Sequence, residues 1–176
     1  MVPHKPTITI RPALLAESGP DDAGTLLALV RGLALYEHEP AAVKATEDDL
    51  RRHGAGPHPK FAALIAELDG RPAGFALYFN NYSTWTGRPG LYLEDLFVEE
   101  WARGHGLGRR LMARVARIAE ETGCGRLDLW VLHWNKTRNF YHRLGINHMS
   151  DWLPYRTDAD GIARLAAEDR ASSGEH

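Results

Sequence analysis

The chain has 176 residues, 44% of them hydrophobic and 25% charged, enough for one domain with a proper core. Lys and Arg number 21 against 23 Asp and Glu, which argues against a general nucleic-acid binder, because that function wants a strongly basic face. A single cysteine, Cys124, excludes an intrachain disulfide, no apolar run approaches the ~18 residues of a membrane span, and MVPHKPTITI lacks the apolar stretch of a secretory leader; a soluble, cytoplasmic protein is expected.

Residues 1–6 read as a tail, 7–170 as a single domain and 171–176 as a second tail. Residues 7–12 (TITIRP) alternate as a strand does. Pro20-Asp21-Asp22 opens a helix whose apolar stripe is Leu26, Leu27, Val30, Leu33 and Ala34, ending near Tyr36-Glu37. Thr46 and Asp49 have capping-box character and start a short helix that stops at Gly54. Strands follow at 60–68 and 73–82, joined at Asp69-Gly70, a strong hairpin turn. Residues 91–98 (LYLEDLFV) form a third strand, and a helix beyond it carries apolar Leu107, Leu111, Val115, Ile118 and Ala119. A strand at 126–132, a short helix at 136–144, a strand at 152–155 and a turn or helix at 161–168 close the chain. That order makes a mixed α/β domain, with an antiparallel front and a parallel crossover behind.

Between the third strand and its helix lies Arg103-Gly104-His105-Gly106-Leu107-Gly108. Glycines let a backbone turn with its N–H groups facing a ligand, and a helix N-terminus favours negative charge, so a pyrophosphate is the expected ligand. A P-loop would need Lys-Ser or Lys-Thr where Arg109-Arg110 stand, and the glycine spacing fails the dinucleotide fingerprint. The plain alternative is a strand–turn–helix connection whose glycines only relieve strain. The nine histidines are scattered without helical ligand spacing, so no metal is expected. Cys124, between Gly123 and Gly125, reads as a turn or packing residue.

The pattern Arg103-x-x-Gly106-x-Gly108 resembles the coenzyme A pyrophosphate motif of the Gcn5-related N-acetyltransferase (GNAT) family, and the element order over 7–168 is similar to that family's fold, a central mixed sheet flanked by helices. The segments LALYE (33–37), FALYFNNYSTWTGR (75–88), LYLEDLFV (91–98), VLHWN (131–135) and NFYHRLG (139–145) look like its spermidine/spermine and thialysine N-acetyltransferase branch. The resemblance implies transfer of an acetyl group from acetyl-CoA to a primary amine of a small molecule (a polyamine, thialysine or a related diamine or amino acid), by direct attack in a ternary complex. It also implies a homodimer. The turn Arg103, Gly104, His105, Gly106, Leu107, Gly108 and Arg109 would hold the pyrophosphate, and Leu96, Phe97 and Val98 the pantetheine arm, with Asn135 and Tyr141 also facing CoA.

The chemistry asks for more. An alkylamine keeps its proton to about pH 10, so attack on the thioester needs acids that bind the cation and a route for its proton. Glu94 and Asp95 are the obvious carboxylates, and strand alternation puts them on opposite faces unless a bulge re-aims one. Glu94 is expected to be the water-linked base, with Asp95 second or a buried structural acid. Tyr141 is the family's general acid, since a phenol stays protonated at neutral pH; it could instead pack the short helix. Tyr36, Glu37, Trp85, Glu94, Asp95 and Trp152 match positions that the branch uses around its cationic substrate, and aromatic walls with carboxylates suit an alkylammonium. Trp85 could equally be a loop aromatic packed on the domain or a partner. Arg110, Arg114 and Arg117 read as a solvated basic stripe.

The chain departs from the family twice. From Asn135 to Tyr141 it is one residue short, which puts Asn135's contact with CoA in doubt more than Tyr141's role. Ser83-Thr84 stands where polyamine acetylases place Asp-Pro, favouring a shorter amine over a long polycation. The rival readings are acetylation of a protein lysine or of an amine drug or toxin, and a non-catalytic acetyl-CoA sensor.

Overall fold

Asp69 and Gly70 both adopt positive φ, 51° and 76°, the geometry of a two-residue hairpin turn whose twist matches that of its strands. The strands they join are β2 (Ala62–Leu68) and β3 (Arg71–Ser83), and β3 turns again into β4 (Arg88–Val98). In this computed structural model, which describes residues 6–16 and 19–173, β1 (Ile8–Pro12) lies antiparallel on β2 and the short β5 (Leu127–Leu129) parallel on β4. The sheet thus runs β1-β2-β3-β4-β5, antiparallel except at its last pair. This is the expected mixed α/β architecture.

Sheet alternation sorts the core. Ala63, Phe75, Leu77 and Phe97 face α1 (Ala23–Tyr36) and α2 (Glu47–Gly54), where they pack with Leu26, Leu29 and Leu50. Alternate positions, among them Leu64, Ala76 and Leu93, are buried toward α3 (Leu107–Glu121), which inserts Leu107, Leu111, Met112 and Val115. Burying a Leu or Phe stabilises by roughly 1.5–3 kcal/mol, so the two helical layers hold the sheet from both sides.

Local chemistry sets the helix entries. Thr46 and Asp49 form the expected capping box, the Asp49 N–H donating to Thr46 Oγ1 at 3.2 Å and the Thr46 N–H to Asp49 Oδ2 at 3.0 Å. Asp21 and Asp22 do more than open a helix. Asp22 is the N-cap of α1 yet makes no side-chain cap; it accepts from Arg11 Nη1 at 2.7 Å and from the Leu14 N–H at 2.7 Å. Asp21 takes Arg51 of α2 at 2.6 Å. Asp21 Oδ1 also accepts the Ala23 N–H at 3.3 Å, so the two acids open the helix and tie β1 and α2 to it. Their arginine partners hold both carboxyls below the usual carboxylate range.

The chain forms two compact units, Met1–Trp130 and Val131–His176. The second holds α4 (Arg138–Arg143) and α5 (Ala159–Ser173). The strand expected at 152–155 does not form: residues 152–158 are irregular, and Pro154 has no N–H to give a ladder. The strand expected at 126–132 shortens to Leu127–Leu129. Of the turn or helix expected at 161–168 the helix forms, as the 15-residue α5, which takes in part of the expected tail 171–176. Of the expected tails 1–6 and 171–176, residues 1–5 and 174–176 lie outside the described residues. No helix among the described residues is long and apolar enough to cross a membrane.

Candidate functional site

The turn after β4 is built by backbone conformation. A short 3-10 helix, Glu100–Ala102, leads to Gly104 and Gly106, both at φ 83°, where an L side chain would be strained. A Cβ on either would meet nothing within 4 Å, so the turn is open to a ligand. Gly106 is the N-cap of α3 and offers no side-chain cap, and the helix's first turn carries no acid. Its leading N–H groups, with the positive end of the helix dipole, therefore face outward for an anion. His105 Nδ1 sits 3.1 Å from the Arg103 carbonyl and 3.3 Å from that of Ala102; protonated there, it donates to them and pins the turn. Arg103 and Arg109 add exposed positive charge. The donor set fits a pyrophosphate.

The strand before it carries a bulge. Leu77 pairs with Asp95 and Tyr78 with Leu93, so Glu94 is the extra residue. Without it, Leu93 and Asp95 would share a face. With it, Leu93 is buried toward α3 while Asp95 lies opposite Leu77 on the α1 side, in line with Phe97. The bulge also ends the sheet edge. The β4–β5 ladder stops at Leu93, and Leu96, Phe97 and Val98 have no strand neighbour on that side among the described residues. Trp130 leaves the ladder and packs edge-on against Tyr92, centroids 6.0 Å apart.

Two acids sit apart from the rest in character. Burial first, then the charges of Glu94 and Glu37, push the Asp95 carboxyl up to about 7. Glu37, the C-cap of α1, is also raised, by burial. Glu94 is exposed. Glu37, Glu94 and Asp95 therefore form one electrostatic group beside Tyr36, although no three acids, His or Cys among the described residues come close enough to hold a metal. Sequence reasoning ranked Glu94 ahead of Asp95. What it lacked was the desolvation at Asp95, hinted at only by the apolar Leu93, Leu96 and Phe97 around the pair.

Trp85 stands elsewhere. It lies at the tip of the β3–β4 hairpin, 88% exposed, beyond the Ser83–Arg88 pair. Six residues of strand separate that pair from Leu77–Asp95, a span of roughly 20 Å. The chain does not bring Trp85 to the acid group. Arg117 pairs with Glu121 at 2.9 Å as a solvated charge does, whereas Arg114 is half-buried, its Nε without a hydrogen-bond partner in the described structure. A groove of about 430 Å³ lined by Cys124, Arg88, Arg126 and Glu120 lies at the other end of α3, roughly 20 Å from the glycine turn.

Within the second unit, Tyr141 belongs to α4, its ring edge-on to Phe140 at 5.2 Å. Asn135 is buried, and its Oδ1 accepts from the Thr137 N–H at 2.9 Å, so its side chain organises the entrance to α4. Gly145, at φ 79°, ends the helix as expected, and Trp152 is 62% exposed.

Residues 26–146 match the model of the acetyltransferase (GNAT) family. The chain is 36% identical over 167 residues to a thialysine N-epsilon-acetyltransferase of Sus scrofa, covering 88% of this chain and 98% of that one. It is 33% identical over 165 residues to a spermidine/spermine N(1)-acetyltransferase-like protein 1 of Homo sapiens, covering 88% of this chain but 23% of the relative. Among solved structures, an integron cassette protein of V. cholerae superposes with a TM-score of 0.72 at 27% identity, over 90% of this chain and 97% of that one. An aminoglycoside N-acetyltransferase in complex with CoA shares the fold, at a TM-score of 0.67 and 21% identity over 90% of this chain and 100% of that one.

Proposed function

This chain belongs to the GNAT acetyltransferase family, in its thialysine and spermidine/spermine-like branch, and is an acetyl-CoA-dependent N-acetyltransferase; from that premise we propose that its acceptor is the primary amine of a small molecule, thialysine or a related diamine or amino acid, attacked in a ternary complex. The observation that carries this reading is the bulge at Glu94. One backbone irregularity turns a desolvated carboxylate toward α1 and Glu37 and leaves the edge of β4 open next to the glycine turn.

Each part then has its task. The N–H groups of the Arg103–Arg109 turn and the start of α3 take the pyrophosphate, and the open edge at Leu96–Val98 aligns the pantetheine by strand-like hydrogen bonding. An N–H of that edge polarises the thioester carbonyl. Glu37 and Glu94 hold the ammonium by charge beside the Tyr36 ring. The amine gives up its proton through Glu94 or Asp95, by way of water; its nitrogen then forms the new C–N bond as the C–S bond breaks. Tyr141 donates its phenolic proton to the departing thiolate, a role that rests on its match to the family motif. A homodimer is proposed from the branch, and the exposed Tyr82 and Trp85 of the hairpin suit a contact with a second copy.

The test is CoA release from acetyl-CoA with spermidine, spermine, thialysine, lysine, short diamines and a lysine peptide, with Tyr141→Phe alongside. We expect a short free amine or amino acid to turn over best and the variant to lose about a hundredfold in kcat. Turnover on the peptide alone would replace the small-amine reading with protein acetylation.

A further inference from the structure

Arg103 does not extend away from its turn. Its Nε donates to the carbonyl of Val98, the last residue of β4, at 3.1 Å, and its guanidinium carbon stands 4.9 Å from the centroid of the Tyr36 ring. Tyr36 is the last residue of α1, and Glu37 follows it as the C-cap. Three elements therefore meet on one side chain: the end of α1, the end of β4 and the start of the glycine turn.

The meeting is built into the packing of α1. One helical turn before Tyr36 is Gly32, where a Cβ would come 2.9 Å from the Phe97 ring and 3.3 Å from Glu99 Oε1. Only a residue without a side chain lets the helix come this close to the end of β4, and that approach sets the height of the Tyr36 ring under the turn. A guanidinium is planar. It stacks on an aromatic by its face while donating along its edge, so the ring contact and the bond to Val98 leave the Nη1 and Nη2 edge for a ligand.

We propose that Tyr36 is a positioning residue for the cofactor: its ring preorganises Arg103 for the CoA pyrophosphate, so that Tyr36 contributes to CoA affinity with no amine present. The proposal rests on the pyrophosphate reading of the glycine turn. An Arg on an exposed turn would otherwise sample many rotamers and lose that freedom on binding; the stack removes part of the loss beforehand. Because Glu37 follows Tyr36 directly, the same contact holds the acidic end of α1 in place when the turn is occupied.

The experiment is calorimetric titration of the full chain with CoA, without amine, for wild type, Tyr36→Phe, Tyr36→Leu, Arg103→Lys and the double variant Tyr36→Leu/Arg103→Lys. The expected result is a Kd about three- to fivefold weaker for Tyr36→Leu, the scale of an exposed cation–π contact, and unchanged for Tyr36→Phe, which keeps the ring. Arg103→Lys, a substitution at an exposed position, is expected to weaken binding as well, and the double variant to be no weaker than Arg103→Lys alone. A Tyr36 that only walls the amine pocket would leave this Kd unmoved, and wild-type affinity in Tyr36→Leu overturns the proposal. So does additivity in the double variant. Should Tyr36→Leu not fold, wild-type affinity in Arg103→Lys overturns it on its own. Failure of the wild type to bind CoA would overturn the pyrophosphate reading itself, and this inference with it.

Discussion

At the scale of single residues, Asp95 is the one whose chemistry the structure changes most. Its carboxyl titrates near 7 because burial and two neighbouring acids penalise the charge. An Asp in the unfolded chain ionises near 3.9, so between about pH 4 and 7 the native state holds a proton that the unfolded state has lost. Stability from this group therefore falls as pH rises through that window, by a total on the order of 4 kcal/mol if nothing else responds. Asp95→Asn is expected to raise the urea midpoint at pH 8 and to change it little at pH 4.5. A midpoint that moves equally at both values would show that titration is not the cause. In the proposed proton route Asp95 would act only when ionised, so kcat/KM with a short amine is expected to rise with pH through about 7. In Asp95→Asn that limb should disappear, together with about a hundredfold in rate. If the limb stays and only Glu94→Gln removes it, the order in which sequence reading placed the two acids was right.

Elements are where local rules and tertiary demands separate. The capping box at Thr46 closes the start of α2 within the chain itself: Thr46→Ala is expected to cost about 1 kcal/mol in chemical denaturation and leave kcat/KM as in wild type. Gly106 makes the opposite prediction. At φ 83°, a valine would strain the α3 N-cap by roughly 1–2 kcal/mol and displace the N–H groups aimed at the anion. Gly106→Val should therefore raise the KM for acetyl-CoA at least tenfold while the KM for amine stays within about twofold, in steady-state kinetics with both substrates varied. Equal rises in both would mean that the whole acceptor side had moved. The short β5 carries a related lesson. Its sequence continues in strand-like fashion to Leu132, but the bulge ends the edge it would have paired with.

For the whole molecule, the proposed direct attack predicts an initial-velocity pattern of intersecting lines when acetyl-CoA and amine are varied together; parallel lines would indicate an acetylated enzyme and sink the ternary-complex reading. Much of this protein was legible in the chain. Alternation identified β1 and helical spacing α1 and α3, because those periods are properties of the backbone whatever surrounds it. Asp69-Gly70 and Thr46–Asp49 were legible because turns and caps are closed by residues adjacent in sequence. The glycine turn was legible because only glycine readily takes its φ values. The strand at 152–155 failed because a strand exists only with a partner, and the sequence does not name one. What the tertiary structure alone decided is which carboxylate is desolvated, where the edge of β4 opens, that Trp85 stands apart from the acids, and that Arg103 rests on Tyr36. Each of these depends on contacts between residues tens of positions apart. No local preference of the chain encodes such contacts; the packing of α1, β4 and the turn brings them about.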